Sequence, residues 1–211
     1  MARIHVFYCD AELAHILRHS YDTQDAEKAW ATCVSDRRSG KTWIAKRLAP
    51  LLGAVHLRSD IERKRLVGLC ESARSSSDLG QGLYSREASA HVYQHLARCA
   101  GDTLAGGYTT IVDATLSRRE DRLHFRDLSV ELGVTACVVH CQAPPEMLRA
   151  RISERLEGGD DPSEADLSVL QWQETHCDPI QAEESFVVFE AMTTHDDIVD
   201  TLTRQITTLS V

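Results

Sequence analysis

From residue 30 onward, short apolar runs rich in β-branched side chains alternate with longer stretches whose apolar positions recur every three or four residues. The runs are Trp30–Val34, Ala54–Leu57, Thr109–Asp113, Val134–Cys141 and Ser185–Phe189. Their brevity and branching predict buried strands. The amphipathic stretches predict helices over 41–51, 61–69, 85–104, 118–132, 144–157, 164–174 and 196–208. In 118–132, the pattern puts Asp121, Arg122, His124 and Arg126 on the polar side, with Leu123, Leu128 and Leu132 opposite. Gly106–Gly107 and Gly133 stand where left-handed caps end helices, and Pro144–Pro145 where one starts. Strands alternating with helices imply an α/β fold, a parallel sheet covered on both faces. Residues 2–28 are partly helical in pattern and carry no catalytic signal, while the Ser-rich stretch 72–77 reads as a mobile loop.

Composition narrows the classes. With 43% apolar and 26% charged residues over 211 positions, the chain is an ordinary globular sequence. One core at this length buries roughly 70% of the unfolded surface, so one main domain is expected. The formal charge of −9 argues against nucleic acid as a high-affinity partner, because phosphate backbones are bound by clustered Lys and Arg. No apolar run approaches the roughly 20 residues of a membrane helix, and the first residues do not read as a signal peptide. Seven cysteines at irregular spacing suit reduced thiols in a cytoplasm rather than a disulfide framework. Cys137 and Cys141, at even spacing on one predicted strand, are expected as core thiols.

The densest chemistry lies in Ser35-Asp36-Arg37-Arg38-Ser39-Gly40-Lys41-Thr42, between a predicted strand and a helix. It approximates GxxxxGK[ST], in which loop amides cradle phosphates, Lys neutralises their charge and the hydroxyl ligates Mg²⁺. Gly40, Lys41 and Thr42 are in place, whereas Ser35 replaces the first glycine. A second segment, His56-Leu57-Arg58-Ser59-Asp60-Ile61-Glu62-Arg63, runs from a strand end into a helix. Asp60 can take a proton from a substrate hydroxyl and Arg63 can hold an anionic part of it; the competing account makes Asp60 a helix N-cap and Arg63 a solvated charge. Asp113 ends a third strand, where its carboxylate either positions Mg²⁺ or substrate, or simply caps the strand. Arg151 and Arg155, four apart on one helical face before Gly158-Gly159, suit a closing lid or a solvated surface.

These segments, in this order, resemble the P-loop kinase family of AAA-type ATP-binding proteins, zeta-toxin-like kinases and phage-type polynucleotide kinases. The strings HLRSDIERKRL, YSREASAHVY, IVDATLSRRED and DLSVLQWQ are similar to those of uncharacterised ATP-binding domains often fused behind an aminoglycoside-phosphotransferase-like domain. The resemblance spans about residues 30–195. It implies a P-loop NTPase three-layer sandwich with a parallel five-stranded, nucleoside-kinase-like sheet and a helical lid, over residues 29–211, behind a 1–28 helical extension. It also implies ATP and Mg²⁺ as cofactors, with Ser35, Ser39, Gly40, Lys41 and Thr42 binding nucleotide and Thr42 and Asp113 the metal. Asp60 would be the general base, Arg63 and Asp113 acceptor contacts, and Lys41, Arg151 and Arg155 catalytic cations. The expected activity is transfer of the γ-phosphate to a hydroxyl of a small substrate. The alternatives are a degenerate nucleotide-binding module without catalysis and a polynucleotide 5′-hydroxyl kinase.

Other features are set aside. His91 and His95 have a zinc-compatible spacing but neither the HExxH glutamate nor a third ligand. No GxSxG elbow supports serine hydrolysis. Trp30, Trp43 and Trp172 are too scattered to form a stacking platform, and Arg63-Lys64-Arg65 is read as a plain helix face.

Overall fold

The computed structural model describes residues 29–34 (backbone only), 39–71, 73, 82–144, 146–148, 150, 177–195 and 197–209. Five strands, β1 (Ala29–Val34), β2 (Val55–Arg58), β3 (Thr110–Asp113), β4 (Thr135–Gln142) and β5 (Val187–Met192), form one sheet in the order β2-β3-β1-β4-β5. All four pairings are parallel. The helices are α1 (Lys41–Leu51), α2 (Ser59–Arg65), α3 (Arg86–Ala105), α4 (Arg119–Leu132) and α5 (Ile198–Leu209). The residues expected to form the lid, the 1–28 extension and the Ser-rich stretch lie outside the described residues.

The period of two along each strand divides the core into two layers. Leu57, Val112, Ala114 and Val138 face one way, against Val92, Leu96 and Leu104 of α3 and Phe125 of α4. Ile111, Cys137, Val139, Cys141 and Ala191 face the other way, against Ile44 and Leu48 of α1 and Ile198, Leu202 and Ile206 of α5. Both expected core thiols are buried on one face, and burial pushes the Cys137 thiol up to about 12. The α5 triplet recurs every four residues, one stripe of a surface helix. Local signals fit the same plan. Ser85 caps α3 by accepting from the Ala88 amide at 3.1 Å, and Gly133 ends α4 in the left-handed region at φ 63°.

The face of α4 is not the one its pattern predicts. Arg122, Phe125 and Ser129 are its buried residues, while Leu132 is exposed. The reason is a partner far away in sequence. The Arg122 guanidinium makes a two-pronged pair with Glu184, Nε to Oε2 and Nη2 to Oε1, both at 2.7 Å. It also donates to the carbonyls of Leu116 at 3.1 Å and Pro179 at 3.2 Å. Asp178 joins the same contact, accepting from the Arg119 amide at 2.8 Å and donating its own amide to the Ser117 carbonyl at 2.8 Å. Residues 178–184 are thereby fixed to the loop that follows β3, where Leu116 adopts φ 43°.

Removing one partner of a fully buried ion pair strands the other charge, at a cost of about 3–5 kcal/mol. Glu184→Ala is therefore expected to lower the urea unfolding free energy by about that amount. Burial alone would raise the Glu184 carboxyl, but Arg122 and the Gln181 amide hold it below the usual carboxylate range. A carboxyl depressed in the folded state stabilises above its unfolded pKa of about 4.3 and loses that contribution as pH falls through the folded value. Stability measured from about pH 5 downward should accordingly fall more steeply for wild type than for Glu184→Gln, and parallel curves would refute this role.

Candidate functional site

The β1–α1 junction is built around Gly40, which precedes α1 with φ 96°, a left-handed conformation that side chains resist. A Cβ placed there would lie 2.9 Å from Thr193 Cγ2 and 3.0 Å from its Cβ. Thr193 cannot easily withdraw, because its amide donates to the Gln142 carbonyl at 2.9 Å and its hydroxyl to the same oxygen at 3.2 Å. Only glycine satisfies both the backbone and the space. Ser39 is buried beside it, and Lys41 and Thr42 are half-buried at the start of α1. The first amides of a helix lack intrahelical partners and carry the positive end of its dipole, so this turn suits phosphate oxygens. Ser35, Arg37 and Arg38 lie outside the described residues.

Asp113 closes the site from the sheet side. It is the last residue of β3 and only 4% exposed. Register places Arg58 of β2 directly beside it, and the period of two puts His56 on the same face. His56 Nε2 lies 3.3 Å from Asp113 Oδ2, and Arg58 Nε lies 3.6 Å from the same oxygen. From α1, the Thr42 hydroxyl and the Lys41 charge both favour the ionised carboxylate. Burial pushes this carboxyl up, yet the bonds from His56 and Thr42 and the charges of Lys41 and His56 outweigh burial and hold it below its usual range. Asp113 is thus a carboxylate shared between β2 and the start of α1.

The third component is α2. Its cap position is Arg58, so Asp60 lies within the first turn rather than at the N-cap. Asp60 is half-buried, two residues beyond the register partner of Asp113. Arg63 is 5% exposed and donates from Nη1 to the Leu83 carbonyl at 2.7 Å and to Ser89 Oγ at 3.3 Å, its guanidinium 5.1 Å from the Tyr84 ring centre. Lys64 is buried and donates to the Glu71 carbonyl at 3.0 Å, while Arg65 pairs with Glu62 at 2.6 Å and Glu71 at 2.8 Å. The run Arg63-Lys64-Arg65 is therefore not a solvated helix face. Its cations hold the chain on both sides of the stretch between residues 71 and 82.

The structure brings together Lys41, Thr42 and Asp113 around one carboxylate and sets Asp60 just beyond its strand neighbour. It turns Arg63 toward the 83–89 segment. Arg151 and Arg155 lie outside the described residues. Sequence reasoning missed His56 and Arg58. Their signal was two polar residues at alternate positions of an otherwise buried strand, where one face had to meet something charged. His91 is exposed, and no group of three metal-capable side chains occurs among the described residues. No described helix is long and apolar enough to cross a membrane.

The model of the AAA domain family matches residues 39–180, more than half of the chain. The chain belongs to that family. This AAA domain is 28% identical over 147 residues to uncharacterized proteins of Mycobacterium tuberculosis and Mycobacterium bovis, a match covering 70% of this chain. It spans only 30% of those relatives' length. Solved structures of several kinases share its fold. A gluconokinase from Sinorhizobium meliloti superposes with TM-score 0.57 at 18% identity, covering 86% of this chain and 93% of that one. The APS kinase of Mycobacterium tuberculosis, solved with AMPPNP and APS, superposes with TM-score 0.56 at 18% identity, covering 86% and 96%. A sugar kinase from Janibacter gives TM-score 0.60 at 18% identity, covering 86% and 93%.

Gly40→Ala should combine left-handed strain with the Thr193 clash and cost about 1–3 kcal/mol of stability. Adding Thr193→Ala removes the nearest methyl and hydroxyl but leaves the φ of 96°, so chemical denaturation of the double variant should show only partial recovery. Full recovery would mean that space alone matters.

Proposed function

We propose that this AAA domain is an ATP-dependent phosphotransferase that passes the γ-phosphoryl group to a hydroxyl of a small substrate. The observation that carries this reading is the Asp113 carboxylate, shared by Thr42 of the phosphate turn and by His56 and Arg58 of the strand leading to Asp60. It couples the place suited to polyphosphate to the element bearing a candidate base. The P-loop kinase fold adds support.

In this reading the amides of Ser39, Gly40, Lys41 and Thr42, with Ser35 at the loop's start, cradle the phosphates, and Lys41 neutralises their charge. The Thr42 hydroxyl, at the start of α1, and the Asp113 carboxylate, at the end of β3, are hard oxygen donors of the kind that fits Mg²⁺. Bound there, the ion would offset charge on the β- and γ-phosphates. Asp60 accepts the acceptor's hydroxyl proton as the new O–P bond forms and the bond to the ADP leaving oxygen breaks. Arg63 orients the acceptor-side wall through Leu83, Tyr84 and Ser89, and Arg151 and Arg155 supply cations from the lid. Residues 29–211 form the catalytic domain and 1–28 an extension. The irregular spacing of the seven cysteines suits a cytoplasmic site of action.

Calorimetry with Mg·ATP and a phosphate-transfer assay test this reading together. Asp60→Asn should keep Mg·ATP affinity within about twofold while lowering turnover by about 10²-fold or more, the usual weight of a general base. Lys41→Ala should weaken nucleotide binding by about tenfold or more, the worth of a charged hydrogen bond. Absence of binding heat at millimolar nucleotide would overturn the kinase reading in favour of a degenerate module, and equal loss of affinity and turnover in Asp60→Asn would overturn the base assignment.

A further inference from the structure

The helix that carries Asp60 cannot orient itself. α2 has seven residues and no side-chain cap, and two turns of helix have no independent stability in water. Its direction is set by what grips its inner face, and at the centre of that grip is a buried carboxylate that the reaction does not use. Glu62 is 5% exposed and accepts from Arg65 Nη1 at 2.6 Å and from His95 Nε2, on α3, at 3.0 Å. Arg98 approaches His95 Nδ1 at 3.0 Å. A guanidinium only donates and a carboxylate only accepts, so the ring proton sits on Nε2. Cys99 Sγ lies 3.5 Å from that same nitrogen. The imidazole is thus held by α3 on one side and aims its single proton at α2.

Glu62 is two residues after Asp60 on the same short helix, so a rotation that breaks its bonds moves both side chains. A turn of about 20° about the axis displaces a group some 6 Å out by about 2 Å. A misplacement of about 1 Å is enough to cost two orders of magnitude in rate. We propose that His95, acting through Glu62, is a positioning residue that sets the place of Asp60. This rests on the reading of Asp60 as the transfer base.

The test is steady-state release of inorganic phosphate from Mg·ATP, with water as the acceptor, by wild type, Asp60→Asn, His95→Leu, His95→Gln and Glu62→Gln. Thermal melting of each protein reports folding. His95→Leu is expected to lose about tenfold or more in kcat with KM for ATP within about twofold. His95→Gln, whose amide can donate from nearly the position of Nε2, is expected to recover to within about threefold of wild type. Glu62→Gln keeps the shape and should fall between them, which preserves the test should His95→Leu fail to fold. Wild-type kcat in both His95→Leu and Glu62→Gln, beside an inactive Asp60→Asn, would overturn the positioning role and leave the base assignment standing. So would a His95→Gln no better than His95→Leu. No phosphate release by wild type, or full release by Asp60→Asn, would instead bring down the reading of Asp60 and this proposal with it.

Discussion

A charge buried at the end of a central strand needs compensation from every element near it, and Asp113 imposes that requirement here. Leaving an ionised carboxylate without partners inside a protein costs several kcal/mol, enough for the group to protonate instead. Four side chains prevent this: Thr42 and Lys41 from α1, and His56 and Arg58 from β2. Because those partners come from two different elements, the same carboxylate fixes the start of α1 relative to the end of β2. The start of α1 and the helix α2 that follows β2 inherit their separation from that shared group.

The loop that leaves Asp113 is held at its far end by a second buried charge. Arg122 and Glu184 are almost wholly inaccessible and joined by two short bonds. A buried pair of this kind adds little net stability over an apolar one, since desolvation offsets the attraction. What it does is choose a path. Residues 178–184 must bring both the Glu184 carboxylate and the Pro179 carbonyl to Nη2 of the guanidinium, while Nη1 meets the Leu116 carbonyl. With Asp113 at one end and Arg122 at the other, the intervening loop is confined to a short span, in which Leu116 takes a left-handed conformation that side chains rarely adopt. The polar end of the sheet is therefore specified by two carboxylates, whereas apolar packing specifies the rest.

Strands and helices were legible because their signals are local: branching and brevity for the strands, periodicity for the helices, Gly40 and Gly133 for their boundaries. Reading failed where a residue's fate depends on a distant partner. Periodicity counts Arg122 as polar and turns it outward, since nothing within a helix's length announces Glu184, 62 positions on. Arg63, Lys64 and Arg65 looked like a solvated face for the same reason. Their acceptors are carbonyls at Leu83 and Glu71 and carboxylates at Glu62 and Glu71, which only the folded chain brings near. His56 and Arg58 form the intermediate case. Their alternation was visible, but their meaning waited for the β2–β3 register that sets Arg58 against Asp113.

The same pairing explains how a chain of formal charge −9 can suit a polyphosphate. Net charge governs long-range steering, and screening removes most of it beyond about 8–10 Å. At contact distance the commitments of individual cations matter more. Arg65 is engaged by Glu62 and Glu71, Arg122 by Glu184 and Arg126 by Asp127. Those arginines neutralise carboxylates and contribute little to the field outside. Lys41 differs in that its carboxylate neighbour, Asp113, also meets His56, Arg58 and Thr42. Positive charge therefore exceeds negative around that one oxygen pair, beside the amide end of α1. The contrast is local: Arg65 and Arg122 are each answered by a buried carboxylate, whereas at the start of α1 a single carboxylate, Asp113, faces both Lys41 and Arg58.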